Sequence, residues 1–206
     1  MRRYLLMPIG LLSLLLFVEL GILAKSGPLP IDTSVALWFK AHRTPREVKL
    51  AQIVSAFTTP IIVLIVMVII LLFLNFWNRS WYPRDFIPLA LVGTAAVLSS
   101  VAKPFFDRVR PGAGLTTLFD FAPSYPSSHI VFVAAAGCAL LFYFERHKFV
   151  IFMVVSLVIG IIGVCRLTLG VHWITDLIGG AFLSWGLLIL FYVFDDRLAE
   201  KERSSL

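Results

Sequence analysis

Three polar clusters interrupt an otherwise strongly apolar chain, and each stands at the end of an apolar run. They occupy residues 103–111, 126–129 and 165–176. Charged groups beside a bilayer are costly unless they are paired or used, so clusters of this kind indicate a functional site. We therefore expect the chemistry of this protein to lie between residues 103 and 176.

The basic residues of these clusters favour an anionic ligand. Lys103, Arg110 and Arg166 supply three positive charges, and the two guanidinium groups have the planar shape that suits phosphate oxygens. Ser127 and Ser128 stand where the fourth apolar run begins, and the start of a helix offers free N–H groups to an anion. Together these groups predict a phosphate-binding site.

The histidines supply a nucleophile and an acid. His172 and Asp176 are four residues apart, so on a helix they share one face and can form a hydrogen bond. A carboxylate on one imidazole nitrogen leaves the other nitrogen basic and oriented. His129 adds a second imidazole that can donate a proton. This set suits cleavage of a phosphate ester or anhydride, and the three nearby cations argue against reading the His–Asp pair as half of a zinc site.

The order and spacing of the clusters resemble the signature of the type 2 phosphatidic acid phosphatase superfamily, integral-membrane lipid phosphate phosphatases related to vanadium haloperoxidases. The family pattern is Lys-x6-Arg-Pro, then Pro-Ser-Gly-His, then Ser-Arg-x5-His-x3-Asp. The matching residues here are Lys103, Arg110, Pro111, Pro126, Ser127, His129, Arg166, His172 and Asp176. Ser128 replaces the family glycine and Cys165 replaces the usual serine. Arg108 matches no fixed position of the family pattern, so its role, as a membrane anchor or as a site residue, is left open.

The resemblance implies a phosphohistidine mechanism that needs no metal and no other cofactor. In this mechanism His172 attacks phosphorus, Asp176 orients His172, and His129 protonates the leaving oxygen. The phosphoryl oxygens are held by Lys103, Arg110, Ser127 and Arg166, with Ser128 as a further hydroxyl donor. The candidate substrates are polyprenyl diphosphates, phosphatidylglycerophosphate and phosphatidate. Two alternatives stay open, namely a phosphotransferase that uses the same intermediate and a non-enzymatic protein that binds or transports phosphate lipids.

The composition is that of a membrane protein. Of 206 residues, 59% are hydrophobic and only 15% are charged, which is too apolar for a soluble domain of this size. The net charge of +6 is scattered over the ends of apolar runs, so it favours the bilayer and not nucleic acid as the partner. Cys138 and Cys165 fall in or beside apolar runs and are expected as buried thiols without a disulfide. The oligomeric state is left open.

Six apolar runs are long enough to cross a bilayer, which takes about 20 residues each. They are residues 4–23, 60–77, 86–102, 128–144, 149–167 and 173–194. We predict an all-α, polytopic membrane protein that forms a single domain over residues 1–206, with its motif core at 103–176. The third run is rich in small residues and is expected to be an interior helix. Residues 25–58 predict one or two amphipathic helices at the membrane interface.

An even number of spans places both termini on one side of the membrane and all three clusters on the other. The basic residues at the ends of the runs number nine on each side. Leaving out Lys103, Arg110 and Arg166, which belong to the clusters, changes this to nine against six. The difference favours cytoplasmic termini. A short chain with little beyond the motifs resembles the compact bacterial members of the superfamily, which implies a bacterial cell membrane. We therefore expect the site to face the extracytoplasmic side.

Overall fold

The computed structural model describes residues 5–77, 82–112 and 123–204, without the side chains of Pro83, Arg84, Glu145 and 197–204. The described residues are helical, with no strand among them, which confirms the predicted all-α class. The helices are α1 (Met7–Lys25), α2 (Pro30–His42), α3 (Pro45–Phe57), α4 (Pro60–Trp77), α5 (Ile87–Phe106), α6 (Ser128–Leu140), α7 (Lys148–Thr168) and α8 (Ile174–Ser204). Short 3-10 turns at Pro83–Phe86 and Glu145–His147 precede α5 and α7.

Five of these helices are long and apolar enough to cross a membrane, namely α1, α4, α5, α7 and α8. The remaining predicted span, residues 128–144, is α-helical only over 13 residues, which is about 20 Å at 1.5 Å per residue. Its last residues tighten into turns in which Phe142 N donates to Ala139 O and Tyr143 N donates to Leu140 O. The polytopic architecture is confirmed, and α6 is its shortest apolar helix in the described chain.

The helix enclosed by the others is α6, not α5 as the sequence suggested. Nine of the 13 residues of α6 are buried, and α4, α5, α7 and α8 all pack against it. Its alanines and glycine permit this close approach, since a Cβ at Gly137 would overlap the Val155 side chain of α7. Helix α5 is buried along one face only, while Val97 and Val101 on its other face are exposed.

Helix α1 lies along α8 and closes one side of the bundle. At the crossing, a Cβ on Gly186 would lie 3.0 Å from the carbonyl oxygen of Gly10, so glycine allows the two backbones to meet. Ser13 Oγ, one turn farther along α1, donates to Phe182 O at 2.8 Å. These contacts hold α1 against the helix that begins at the third polar cluster.

The connection after α1 forms two helices, α2 and α3, each of which begins with proline and a capping side chain. The Asp32 carboxylate accepts from Leu29 N at 3.0 Å in α2, and the Glu47 carboxylate accepts from Thr44 N at 2.7 Å in α3. Helix α3 packs on α7, and α2 contacts α7 and α8. Their position at a membrane interface stays a prediction.

The ends of the helices meet in one place. Helices α5 and α7 end, and α2, α6 and α8 begin, at the same end of the bundle. At the opposite end of the bundle, Asn75 at the end of α4 donates to Asp85 O and accepts from the Tyr143 hydroxyl. These bonds connect α4 with the turn before α5 and with the turns after α6. The basic residues Arg2, Arg3 and Arg79, on which the orientation argument partly rests, lie outside the described residues.

Candidate active site

The first polar cluster leaves α5 through a left-handed turn. Asp107 ends the helix at φ 43° and ψ 45°, a conformation that aspartate tolerates better than most residues. This turn directs Arg108 and Arg110 toward the start of α8, where both donate hydrogen bonds. The local conformation of one residue thus brings the basic loop across the third cluster.

Lys103 ties the first cluster to the second. Its Nζ donates to Pro123 O at 2.8 Å and to Pro126 O at 3.1 Å, which uses two of the three donors of the ammonium group. Tyr125, between these two prolines, is fully buried and donates from its hydroxyl to Phe17 O at 2.5 Å. Hydrogen bonds therefore tie the segment before α6 to α5 through Lys103 and to α1 through Phe17.

Ser127 occupies the N-cap position of α6, and its side chain makes no capping hydrogen bond. Its backbone amide donates to Asp176 O at 3.1 Å, while its buried Oγ has no hydrogen-bond partner within the described chain. Ser128 is the first helical residue and is half-buried, so it does not cap the helix. Buried hydroxyls are normally hydrogen-bonded, so the Ser127 Oγ and the first-turn amides suit a bound anion.

The predicted His172–Asp176 pair is present, but it does not form on a helix face. Helix α8 begins at Ile174, so His172 lies in the turn before it. The Asp176 Oδ2 atom accepts from His172 Nδ1 at 3.1 Å and from Trp173 N at 2.9 Å. The carboxylate thus folds back over the helix start, as an acidic third residue does in a capping box.

The opposite nitrogen of the imidazole is positioned by Arg110. The Arg110 Nη1 atom donates to Val171 O at 2.7 Å and lies 3.3 Å from His172 Nε2. A guanidinium group only donates, so a hydrogen bond at this contact requires Nε2 to be the unprotonated nitrogen. The tautomer that follows has its proton on Nδ1, facing Asp176, and a lone pair on Nε2.

The electrostatics keep this imidazole neutral. Burial lowers the pKa of His172 well below its ordinary 6.5, and the positive charges of the surrounding basic groups lower it further. Those groups are Arg166, Arg110, Lys103 and His129. Their effect shows that the three motifs meet around His172, although they are separated by up to 73 residues of sequence. A neutral imidazole is the nucleophilic form.

All eight predicted site residues belong to this end of the bundle. Lys103, Arg110, Ser127, Ser128, His129, Arg166, His172 and Asp176 stand on α5, α6, α7, α8 and the turns that join them. In the described part of the chain, no three His, Cys, Asp or Glu residues are grouped as metal ligands. The arrangement is a cationic cradle around one oriented imidazole, which can bind and attack a phosphoryl group.

Sequence reasoning missed two residues beside this set, Asp32 and Thr175, and leaves the role of a third, Arg108, open. Arg108 is buried and pairs with both Asp176 and Asp32. Asp32 is fully buried at the start of α2, a segment expected only to lie at the membrane interface. The Thr175 hydroxyl accepts from Arg108 and donates to Asp32. The only sequence signal is an arginine and an acid in apolar surroundings. The sequence around each residue does not indicate that the two side chains form an ion pair.

A cleft of about 340 Å³ opens beside the turn that holds His172. Helix α2 contributes Lys40 to its lining, and Arg43 follows at the end of that helix. Gly112, just after the first cluster, and Trp173 in the third cluster border the other side. Arg43 Nη1 also donates to Thr168 O at 3.0 Å. The cleft gives a polar headgroup room next to the cradle.

Comparison with known proteins shows which family the chain belongs to. The family model of the PAP2 superfamily matches residues 85–199. The phosphatidylglycerophosphatase B of Bacillus subtilis (strain 168) is 30% identical over 160 residues, which is 70% of this chain and 70% of the relative. A crystal structure of the transmembrane PAP2-type phosphatidylglycerolphosphate phosphatase from Bacillus subtilis superposes with a TM-score of 0.76 at 24% identity, covering 91% of this chain and 96% of that one. The resemblance carried by the three motifs is therefore confirmed, and the chain belongs to the PAP2 superfamily.

Proposed function

We propose that this protein, an integral-membrane lipid phosphate phosphatase of its superfamily, uses His172 to hydrolyse the phosphate ester of phosphatidylglycerophosphate. The observation that carries the proposal is the His172 imidazole, which has Nδ1 on Asp176 and Nε2 beside Arg110. The activity of the Bacillus relative makes phosphatidylglycerophosphate the first substrate to test. Phosphatidate and polyprenyl diphosphates carry the same phosphoryl group and are the next.

The first half-reaction transfers the phosphoryl group to the protein. The lone pair of His172 Nε2 forms a bond to phosphorus as the bond between phosphorus and the lipid oxygen breaks. His129 donates a proton to that oxygen, so the lipid leaves as a neutral alcohol. Asp176 keeps its hydrogen bond to Nδ1 and stabilises the positive charge that develops on the ring.

The transferring phosphoryl group carries its negative charge on the oxygens that face the cradle. Arg110, Arg166 and Lys103 supply the opposite charge, and the effect of all three on the His172 pKa supports their closeness to the reacting nitrogen. Ser127 Oγ and the amides that begin α6 are the neutral donors. Fixed charges and dipoles of this kind are usually the largest contribution to the rate.

The second half-reaction releases phosphate. Water attacks the phosphohistidine, His129 accepts its proton, and the bond between phosphorus and Nε2 breaks to restore the neutral imidazole. The same intermediate would serve a phosphotransferase if another lipid alcohol replaced water. Methanol or glycerol added to the assay separates the two outcomes, because a transferase forms the new phosphate ester and spares free phosphate.

The test uses purified protein in detergent micelles with phosphatidylglycerophosphate, phosphatidate and undecaprenyl diphosphate in separate assays of phosphate release. We expect His172→Ala to abolish release while the protein keeps its melting temperature, because loss of a nucleophile costs several orders of magnitude. Exposed His42 provides the matched control, and His42→Ala should keep full activity. A His172→Ala variant that retains more than a few per cent of activity would contradict the assignment.

The same assay tests the metal-independent mechanism. Arg108 already donates to both buried carboxylates, Asp32 and Asp176, so these groups are poorly placed to hold a magnesium ion. We expect activity to survive excess EDTA, and vanadate, which mimics the phosphoryl group in transfer, to inhibit. Loss of activity on chelation that added metal restores would favour a metal mechanism instead.

We further propose that the whole chain is one domain whose active site faces the extracytoplasmic side. Packing of α1 along α8 supports the first point, and the count of basic flanks supports the second. Val109 is 83% exposed on the catalytic loop, so Val109→Cys in a background without Cys138 and Cys165 should react with an impermeant thiol reagent on intact cells. Arg146→Cys, at the opposite end, should react only after permeabilisation; the reverse result would invert the topology.

A further inference from the structure

An ion-pair network occupies the oxygen of Asp176 that His172 does not use. Arg108 Nη1 donates to Asp176 Oδ1, and Arg108 Nη2 donates to Asp32 Oδ2 at 2.5 Å. The three side chains are at most 3% exposed. Buried charges of this kind persist only where they are paired, so the contacts fix all three groups.

Thr175 joins the same network through both its side chain and its backbone. Its Oγ1 accepts from Arg108 Nη1 at 2.7 Å and donates to the Asp32 carboxylate at 2.8 Å, while its amide N donates to Asp32 Oδ1 at 3.1 Å. Asp32 belongs to the first turn of α2 and Thr175 to the first turn of α8. The start of an amphipathic helix is thereby bonded to the helix start that carries the proposed catalytic carboxylate.

The charges of this network affect how Asp176 serves His172. If Arg108 paired with Asp176 alone, the guanidinium would neutralise the carboxylate that must stabilise a positive imidazole. Asp32 shares the same guanidinium, so two carboxylates and one cation leave a formal charge of −1. Asp176 therefore remains an effective acceptor for His172 Nδ1 while Arg108 still holds it in place.

We infer that Asp32, Arg108 and Thr175 are positioning residues for the phosphoryl transfer, with α2 forming part of the catalytic machinery through Asp32. The inference rests on the proposed function of His172. These residues do not touch the phosphate; they hold the Asp176 carboxylate in register with the imidazole and keep its negative charge available. The competing explanation is purely structural, because Asp32 also caps α2 through Leu29 N.

The chain offers a matched control for capping alone. Glu47 holds the equivalent position in α3, where it accepts from Thr44 N at 2.7 Å, but it is exposed and lies on a helix that packs against α7. Asp32→Asn and Glu47→Gln both replace a capping carboxylate with its amide. A capping effect should appear in both variants, whereas a positioning effect should appear in Asp32→Asn alone.

The two variants are assayed on phosphatidylglycerophosphate in detergent micelles from pH 4.5 to 8, beside a thermal melt. We expect Asp32→Asn to lower kcat by about 10- to 100-fold, as loss of an outer-shell hydrogen bond does at histidine metal ligands, with KM within about twofold. Losing a negative charge near His172 should also move the acid limb of kcat/KM to lower pH. The variant leaves the other charged groups around His172 and Asp176 in place, namely Lys103, Arg108, Arg110, His129 and Arg166.

One further comparison, at Thr175, keeps the test decisive if Asp32→Asn folds poorly. Thr175→Val removes the hydroxyl at nearly constant volume and should lower kcat, while Thr175→Ser restores the hydroxyl and should recover most of it. Where the single variants fold, Asp32→Asn added to Arg108→Gln should lower kcat by less than it does in the parent, because Asp32 is paired directly with Arg108.

The outcomes separate this inference from the proposed function. If His172→Ala is inactive but Asp32→Asn matches Glu47→Gln in kcat and pH profile, the positioning role is wrong and Asp32 is a helix cap. Equal kcat for Thr175→Val and Thr175→Ser would also refute it. If His172→Ala remains active in the same assay, the proposed function fails and the positioning role falls with it.

Discussion

Replacing Asp176 with asparagine exchanges one carboxylate oxygen for an NH₂ group. One hydrogen-bond acceptor thereby becomes a donor in a site whose partners are donors. Asp176 accepts from His172 and Trp173 on one oxygen and from Arg108 on the other. Asparagine has a single oxygen, so its NH₂ group must face donors on one side or the other. Neither orientation satisfies all three partners.

The two orientations damage catalysis differently. An NH₂ group toward His172 reverses the imidazole tautomer, which puts a proton on Nε2 facing the guanidinium of Arg110. An NH₂ group toward Arg108 keeps the tautomer but places a donor against the Arg108 Nη1 donor. Either orientation removes the negative charge of the carboxylate. With about 1.5–3 kcal/mol for each charge-assisted hydrogen bond and two bonds affected, the cost is about 3–6 kcal/mol. This corresponds to a decrease in kcat of about 10²- to 10⁴-fold.

The assay measures phosphate release at saturating phosphatidylglycerophosphate, with a thermal melt to confirm folding. KM should change little, because Asp176 contacts the imidazole and not the phosphate. Asp107→Asn is the matched control, since Asp107 is exposed in a left-handed turn that asparagine also tolerates, and it should keep full activity. An Asp176→Asn variant with more than about a tenth of the parent kcat would refute the reasoning on tautomer and charge.

Three further predictions concern single positions. Ser128→Gly, which restores the family residue, should change kcat by less than about tenfold, because one neutral hydrogen bond contributes roughly 1 kcal/mol; an inactive parent that only this change activates would contradict it. Gly179→Ala places a methyl group where the buried Tyr125 ring lies, so the melting temperature and kcat should both fall, whereas Gly93→Ala, with open space around it, should lower neither. Burial and neighbouring cations lower the pKa of His172, so its ring nitrogens in ¹⁵N NMR should report a neutral imidazole at pH 6; a pKa at or above 6.5 would overturn this account.

The sequence by itself determined the class of protein, and it predicted the site residues that the structure places at one end of the bundle. Apolar runs identify spans because a bilayer core requires a minimum length of apolar helix, and the run at 60–77 agrees with α4 at both ends. The three motifs single out individual positions because each motif combines particular residue types at a fixed spacing. The length of the apolar run at 128–144 did not predict where α6 ends. This helix, which is surrounded by other helices, ends after 13 residues.

The pairing of His172 with Asp176 was predicted from a spacing of four residues, but the structure gives it another basis. Helix α8 begins at Ile174, after the histidine, and the carboxylate reaches back over the helix start to Trp173 N as well. A spacing of four is compatible with both arrangements. Only the position of the helix start distinguishes a helix face from a cap.

The network around Asp176 was decided by tertiary structure alone. Arg108 is separated from Asp32 by 76 residues and from Asp176 by 68. Each of these residues has an ordinary local explanation, as a flanking cation, a helix cap or the partner of a histidine. Their shared burial arises only when α2, the loop after α5 and the start of α8 pack together. A sequence pattern read along the chain records spacing within a segment, whereas a buried ion pair depends on which segments meet and exclude water between them.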